Sequence, residues 1–329
     1  MTTGSRASLI SIACRTASSS SNAGAPEFSG RGRARQPPAS FFFSGEPPGT
    51  GVLAMPPTLN APPLTFADAP QNPLSIRAKA LVFVDPRSRQ LRERADALAP
   101  GHQPLLIRGE TGTGKELLAR YIHRHSERGG LFVALSAATI SPQWGEAELF
   151  GHVGGAHAGG AGSRAGWFGS AHGGTLYLDE IADLPRALQR KLLAVLETRE
   201  VYRVGASQAT PVDVRLLAAS SIDLARAVAA GTFDEDLYAY LCDGQLHFPA
   251  LRERVGDILP LAEYFLGIHA LRLGLAIPAL GEQAQAVLEA HRWPGNTREL
   301  ENVIHFALLL AGAKEIAPEH LQLVMGQTG

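Results

Sequence analysis

Cysteine is nearly absent: Cys14 and Cys242 are the two in a chain of 329 residues. So far apart, they make no disulfide framework, and the expectation is a reducing, cytoplasmic setting. An excess of one charge is missing as well. The formal net charge is -1, which gives no broad electrostatic footprint for nucleic acid, so DNA contact would need a local patch. No apolar run approaches the roughly 18 residues that a helix needs to cross a bilayer. Residues 1–78 also lack the means to pack. They hold the run Ser18 to Ser21, the string Gly30-Arg31-Gly32-Arg33 and Pro-Pro pairs beginning at Pro37, Pro47, Pro56 and Pro62. Such a segment buries too little to offset its ordering entropy and reads as a disordered leader. Arg6 and Arg15 lie among serines, and the first acidic residue is Glu27, which touches on the composition of an organellar transit peptide. A start codon placed too far upstream, with Met55 as the true start, is the other reading. Native peptides upstream of Met55 in a mass spectrum would exclude it.

What the chain does have begins at Leu105-Leu106-Ile107, an apolar run with the length of a buried strand. Gly109, Gly112 and Gly114 interrupt it, and a helical pattern (Leu117, Leu118, Tyr121, Ile122) follows from Lys115. Strand, glycine loop and helix form the context in which G-x-x-x-x-G-K becomes a phosphate site. Glycines let backbone N–H groups converge on an anion, the helix start adds partial positive charge, and Lys115 reaches the β- and γ-phosphates. Glu116 stands where most such loops place a hydroxyl for Mg²⁺.

Further strands are expected at 131–135, 175–178 and 212–218, with helices over 88–98 and 186–197. Alternating strands and helices argue for an α/β fold with a parallel sheet covered on both faces. The third strand runs into Asp179-Glu180. One carboxylate at such a strand end can hold Mg²⁺, and the next can polarise an attacking water. From Phe248 onward only helical patterns appear, over 257–273, 282–291 and 296–310. The expected organisation is a leader over 1–78, an α/β nucleotide-binding subdomain over 79–247 and a small helical lid over 248–329. The histidines at 123, 125, 152, 157 and 172 fit no familiar zinc spacing and read as structural or solvent-facing.

Several stretches together resemble the central AAA+ domain of sigma-54-dependent transcriptional activators, the bacterial enhancer-binding proteins. They are GETGTGKE (109–116), ELFGH (148–152), GGTLYLDEI (173–181), LRER and GDI (251–258) and WPGNTRELEN (293–302). The resemblance covers 81–325. It implies a P-loop ATPase with a helical lid, ring hexamers binding ATP and Mg²⁺ at subunit interfaces, and remodelling of sigma-54 RNA polymerase. Glu at 116 is usual in that family. Carried over, Gly109, Glu110, Thr111, Gly112, Thr113, Gly114, Lys115, Glu116 and Leu117 form the nucleotide loop and its helix start. Asp179 organises Mg²⁺, Glu180 prepares the water, and Arg298 reaches the phosphates from the lid.

Other positions depart from the family pattern. The sigma-54 contact loop, GAFTGA in the family, is Gly155-Ala156-His157-Ala158-Gly159-Gly160 here. An aromatic tip and a hydroxyl become an imidazole and a methyl, on a glycine-rich stretch preceded by Val153 and Gly154. The arginine fingers of FREDLYYRL become Asp234 and Tyr240. Finger arginines are worth about 10³–10⁵ in rate. Ser136 replaces an Asn that holds the catalytic glutamate, and Ser220-Ser221 replaces Thr-Asn. With no receiver domain expected before the ATPase region and no helix-turn-helix after it, specific DNA binding is not expected from this chain alone. The resemblance therefore implies a regulator that binds ATP, hydrolyses it poorly, touches sigma-54 weakly or not at all, and works in rings mixed with an intact relative. Two alternatives stand beside this. One is a self-sufficient ATPase activator in which Arg252 or Arg254 replaces the fingers; the other is a decaying paralogue without a role.

Overall fold

The computed structural model describes residues 64–65, 80–155, 162–312 and 314–323. Strands β1 (Leu64–Thr65) and β2 (Ala80–Leu81) pair antiparallel, and helix α1 (Pro86–Leu98) follows. Asp85 caps α1 by accepting the Arg87 N–H, and Pro86 occupies the first turn, where its missing N–H costs nothing. The helix therefore starts two residues before the expected Ser88.

Strand β3 (Leu105–Arg108) leads through the glycine loop into helix α2 (Lys115–Arg124). Then come β4 (Phe132–Ser136), α3 (Gly145–Phe150), α4 (Gly166–Ser170), β5 (Thr175–Asp179) and α5 (Arg186–Thr198). A hairpin of β6 (Glu200–Tyr202) and β7 (Ala209–Pro211) precedes β8 (Arg215–Ser220), α6 (Leu224–Ala229), α7 (Glu235–Cys242) and β9 (Gln245–His247). The main sheet runs β4-β5-β8-β3-β9 with every pair parallel. Parallel neighbours need crossover connections, which the helices supply. One face packs on Leu176, Leu178, Leu216 and Leu192, the other on Leu105, Ile107, Leu118 and Ile122. A strand buried on both faces reads as a continuous apolar run, which is why β3 and β5 are visible in the sequence.

Two expectations need correcting. The strand expected at 212–218 lies at 215–220, because the chain around Ala209–Pro211 turns back on β6 and Val212 instead donates to the Arg199 carbonyl at 2.8 Å. The fifth strand, Gln-Leu-His at 245–247, was not expected, since a three-residue edge strand with one apolar residue carries no periodic signal. Beyond it, among the described residues, lie helices α8 (Ile258–Leu273), α9 (Glu282–Ala290) and α10 (Asn296–Ala311). These pack around Phe265, Leu288, Trp293, Leu300 and Ile304 in a separate core, to which Ala80 and Val82 also belong.

Candidate nucleotide site

The loop between β3 and α2 is shaped by what glycine alone permits. Gly112 and Gly114 take φ of +84° and +104°, a region costly for residues with a Cβ. Gly109 is needed for space, since a Cβ there would lie 2.6 Å from the Phe248 carbonyl oxygen. Gly114 begins α2 with no side-chain cap, which leaves this helix start open among the described residues. An uncapped start with converging N–H groups is suited to an anion.

Lys115 is 6% exposed and donates from Nζ to the Gly109 carbonyl at 2.9 Å, to the Glu110 carbonyl at 3.4 Å and to Glu180 Oε1 at 3.2 Å. The other carboxylate oxygen of Glu180 accepts both the N–H and the hydroxyl of Ser221 at 2.8 Å. Glu180 sits at φ +48°, so the chain leaves β5 through a left-handed residue that turns this carboxylate toward the loop. Asp179 Oδ1 accepts the Tyr177 hydroxyl at 3.0 Å and the Glu180 N–H at 3.2 Å. Burial pushes the Asp179 carboxyl above its usual range, with the Tyr177 bond and the Lys115 charge opposing that rise.

A cavity of about 200 Å³ is lined by Thr111, Gly112, Gly114, Lys115, Glu116, Leu117, Asp179, Glu180 and, from the lid, Phe265, Thr297, Arg298 and Glu301. The fold thus brings the loop, both acids and Arg298 to one cavity. Thr113 faces away, its hydroxyl bonded to the Glu110 carbonyl at 2.8 Å. Glu116 pairs with Arg120 one turn along α2 at 2.7 Å. Glu110 turns to the lid side, where Arg252 grips it through both oxygens, at 2.8 and 2.5 Å, and Asn296 donates at 3.0 Å. Arg252 first, and Asn296 after it, hold this carboxyl down at about 2 against partial burial. The donor set, with an ammonium, an uncapped helix start and two strand-end carboxylates, fits a nucleotide with its divalent cation.

The remaining predicted positions lie elsewhere. Asp234 is 6% exposed. Its carboxylate caps α7 by accepting the Leu237 N–H at 3.2 Å and pairs with Arg190 at 3.4 Å, while its N–H donates to Gln189 at 2.7 Å. Tyr240 donates its hydroxyl to the Leu196 carbonyl on α5 at 3.2 Å. Arg252 is engaged with Glu110, and Arg254 is buried, donating to the Thr113 carbonyl at 3.1 Å and stacked on Phe248. His157 and Ala158 lie outside the described residues; the base of their loop is closed by paired bonds between His152 and Arg164 at 3.0 and 2.9 Å. Among the histidines, His123 meets the Thr175 hydroxyl at 2.8 Å, and burial lowers its basicity.

Sequence reasoning missed two contributors. Glu180 is held by Ser221, not from Ser136, which pairs in register with Asp179. The signal was a serine just past the end of the buried strand β8, adjacent to β5. The second is Asn296, which the Pro-Gly-Asn helix start could have flagged as a left-handed position.

The Sigma-54 interaction domain family matches residues 81–247, and the AAA+ ATPase lid domain family matches 252–329. The chain is 49% identical to the sigma-54-dependent transcriptional activator SfnR of Pseudomonas putida over 79% of this chain and 71% of that protein. It is 48% identical to the response regulator FleR of Pseudomonas aeruginosa over 74% of this chain and 51% of that protein. Among solved structures it resembles NtrX of Brucella abortus, crystallised in complex with ADP, with TM-score 0.68 and 38% identity over 73% of this chain and 54% of that one. NtrX in complex with ATP gives TM-score 0.67 at 39% identity. A five-stranded parallel sheet with its glycine loop, a helical lid over that loop, and matches to both family domains agree: the chain belongs to the sigma-54-dependent transcriptional regulators, built on their AAA+ P-loop domain.

Proposed function

We propose that this chain binds ATP with Mg²⁺, turns it over poorly by itself, and regulates sigma-54 transcription through rings mixed with an intact relative. The observation that carries the reading is a contrast within the chain. The loop, Lys115, Asp179, Glu180 and Arg298 share one cavity, whereas Asp234 and Tyr240 are bonded inside their own chain. Lys115 and the start of α2 take the phosphates, Asp179 is the carboxylate for the metal, Glu180 is the base for water, and Arg298 approaches from the lid. ATP supplies the phosphoanhydride that such a site cleaves.

An arginine reaching a neighbour's phosphate is worth about 10³–10⁵ in rate. Asp234 offers the opposite charge, and its place as a helix cap ties it to α7. Arg252 and Arg254 both contact the chain's own loop, which favours the mixed ring over self-sufficiency. In such a ring this chain's Lys115 site would face a partner's fingers. Contact with sigma-54 by this chain is weak on this reading, because His157 and Ala158 replace the aromatic and hydroxyl tip. Titration of the protein into an intact activator tests it, with ATPase rate and open-complex formation as readouts. A dose-dependent change in both is expected; no change at any ratio would contradict it.

A further inference from the structure

The nucleotide loop is held from the lid side of the molecule. Asn296, fully buried at the start of α10, donates from Nδ2 to the Thr111 carbonyl at 3.1 Å and to Glu110 Oε2 at 3.0 Å. Its Oδ1 accepts the Leu251 N–H at 2.8 Å, so every polar atom of the side chain is used. It does this at φ +53°, a left-handed conformation that Asn tolerates better than other side chains with a Cβ. Arg254 repeats the pattern two residues on, donating to the Thr113 carbonyl at 3.1 Å and to the Thr297 hydroxyl at 3.2 Å. The two backbones are in direct contact here: a Cβ on Gly112 would lie 2.3 Å from the Gly295 carbonyl oxygen.

A peptide group has its N–H and C=O on opposite sides. Fixing the Thr111 and Thr113 carbonyls toward the lid therefore turns the N–H groups of the following residues away from it. We infer that Asn296, with Arg252 acting on Glu110, is a positioning residue that pre-forms the nucleotide loop and ties its shape to the seat of the lid. This rests on the nucleotide-binding reading above and adds the means by which lid and loop move as one. Preorganisation of this kind lowers the ordering cost of binding.

The test uses the full chain, with ADP affinity and the melting temperature without nucleotide measured on each variant. Asn296→Gly keeps the left-handed backbone and removes the bonds; it is expected to weaken ADP binding about tenfold, the scale of one or two lost buried hydrogen bonds. Asn296→Asp keeps the acceptor for Leu251 but sets a carboxylate against Glu110, and is expected to weaken binding further. Adding Glu110→Gln to Asn296→Asp removes that repulsion and is expected to recover most of the difference. Arg252→Ala, at a half-exposed position, is expected to weaken ADP binding several-fold with unchanged unliganded melting. Wild-type affinity in Asn296→Gly and Arg252→Ala would overturn the inference, as would failure of Glu110→Gln to relieve Asn296→Asp. If the Asn296 variants do not fold, Arg252→Ala alone decides by the same criterion. A wild-type chain that fails to bind ADP would remove the nucleotide reading itself, a result distinct from binding that ignores these substitutions.

Discussion

Helices α2 and α7 begin in opposite ways, and the contrast explains what each can do. At α2 the chain enters through Gly114 at φ +104°, and no side chain caps the first turn. At α7 the chain enters through Asp234, whose carboxylate accepts the Leu237 N–H and pairs with Arg190. Every helix start leaves backbone N–H groups without intrahelical partners. An open start can bind a phosphate, while one filled by its own carboxylate repels one. The first therefore offers a site to a ligand, and the second is closed for the sake of stability.

The largest effect on nucleotide affinity should come from the open start. Lys115→Ala removes the buried ammonium of the cavity and is expected to lower nucleotide affinity by at least about 100-fold, the worth of two charge-assisted hydrogen bonds. Titration calorimetry with ADP and ATP checks it, and an affinity within a few-fold of wild type would mean that nucleotide sits elsewhere.

Next is the lid that covers this start. Trp293 is fully buried and donates its indole N–H to the Leu288 carbonyl at 2.9 Å. Trp293→Ala is expected to cost about 3–5 kcal/mol in denaturant unfolding. The closed start should respond more mildly. Asp234→Ala loses a helix cap and is expected to cost about 1 kcal/mol, with nucleotide affinity unchanged. A large drop in affinity from this substitution would place Asp234 in the site and break the contrast.

The lid also carries a pH dependence. His269 is 3% exposed, and burial, then the neighbouring His305, then Arg272 hold its imidazole at about 4, below the ordinary 6.5. Its ring stacks on His305 at 4.4 Å, and Glu301 lies 3.8 Å from Nε2. The unfolded chain binds this proton more readily than the folded one, so stability falls as pH drops from about 6.5 toward 4. His269→Phe keeps the packing and should flatten the melting temperature across that window; an unaltered slope would assign the acid sensitivity to other groups.

Much of the open site was legible because its chemistry demands particular residues in a row. Glycines at 109, 112 and 114, Lys115, and acids at the end of an apolar strand leave little latitude. The buried strands β3 and β5 were visible for a related reason, since both faces need apolar side chains. The edge strand β9 and the hairpin β6–β7 were hidden, because three residues in pairing geometry leave no period to detect. The contacts that fix the loop were hidden for another reason. Asn296 and Glu110 meet across 186 positions of sequence, and Ser221 and Glu180 across 41. The residue types at 234 and 240 could be read, but not their engagement with Arg190, Gln189 and Leu196 on and around α5.

The proposed site is complete for binding and incomplete for turnover within one chain. ATP binding and ATP hydrolysis, measured side by side on the purified protein over a range of concentrations, test it most directly. Saturable binding that is lost in Lys115→Ala, with negligible turnover at every concentration, is the predicted result. Turnover that rises with protein concentration would show that identical chains complete one another's sites, and would contradict the account of Asp234 and Tyr240.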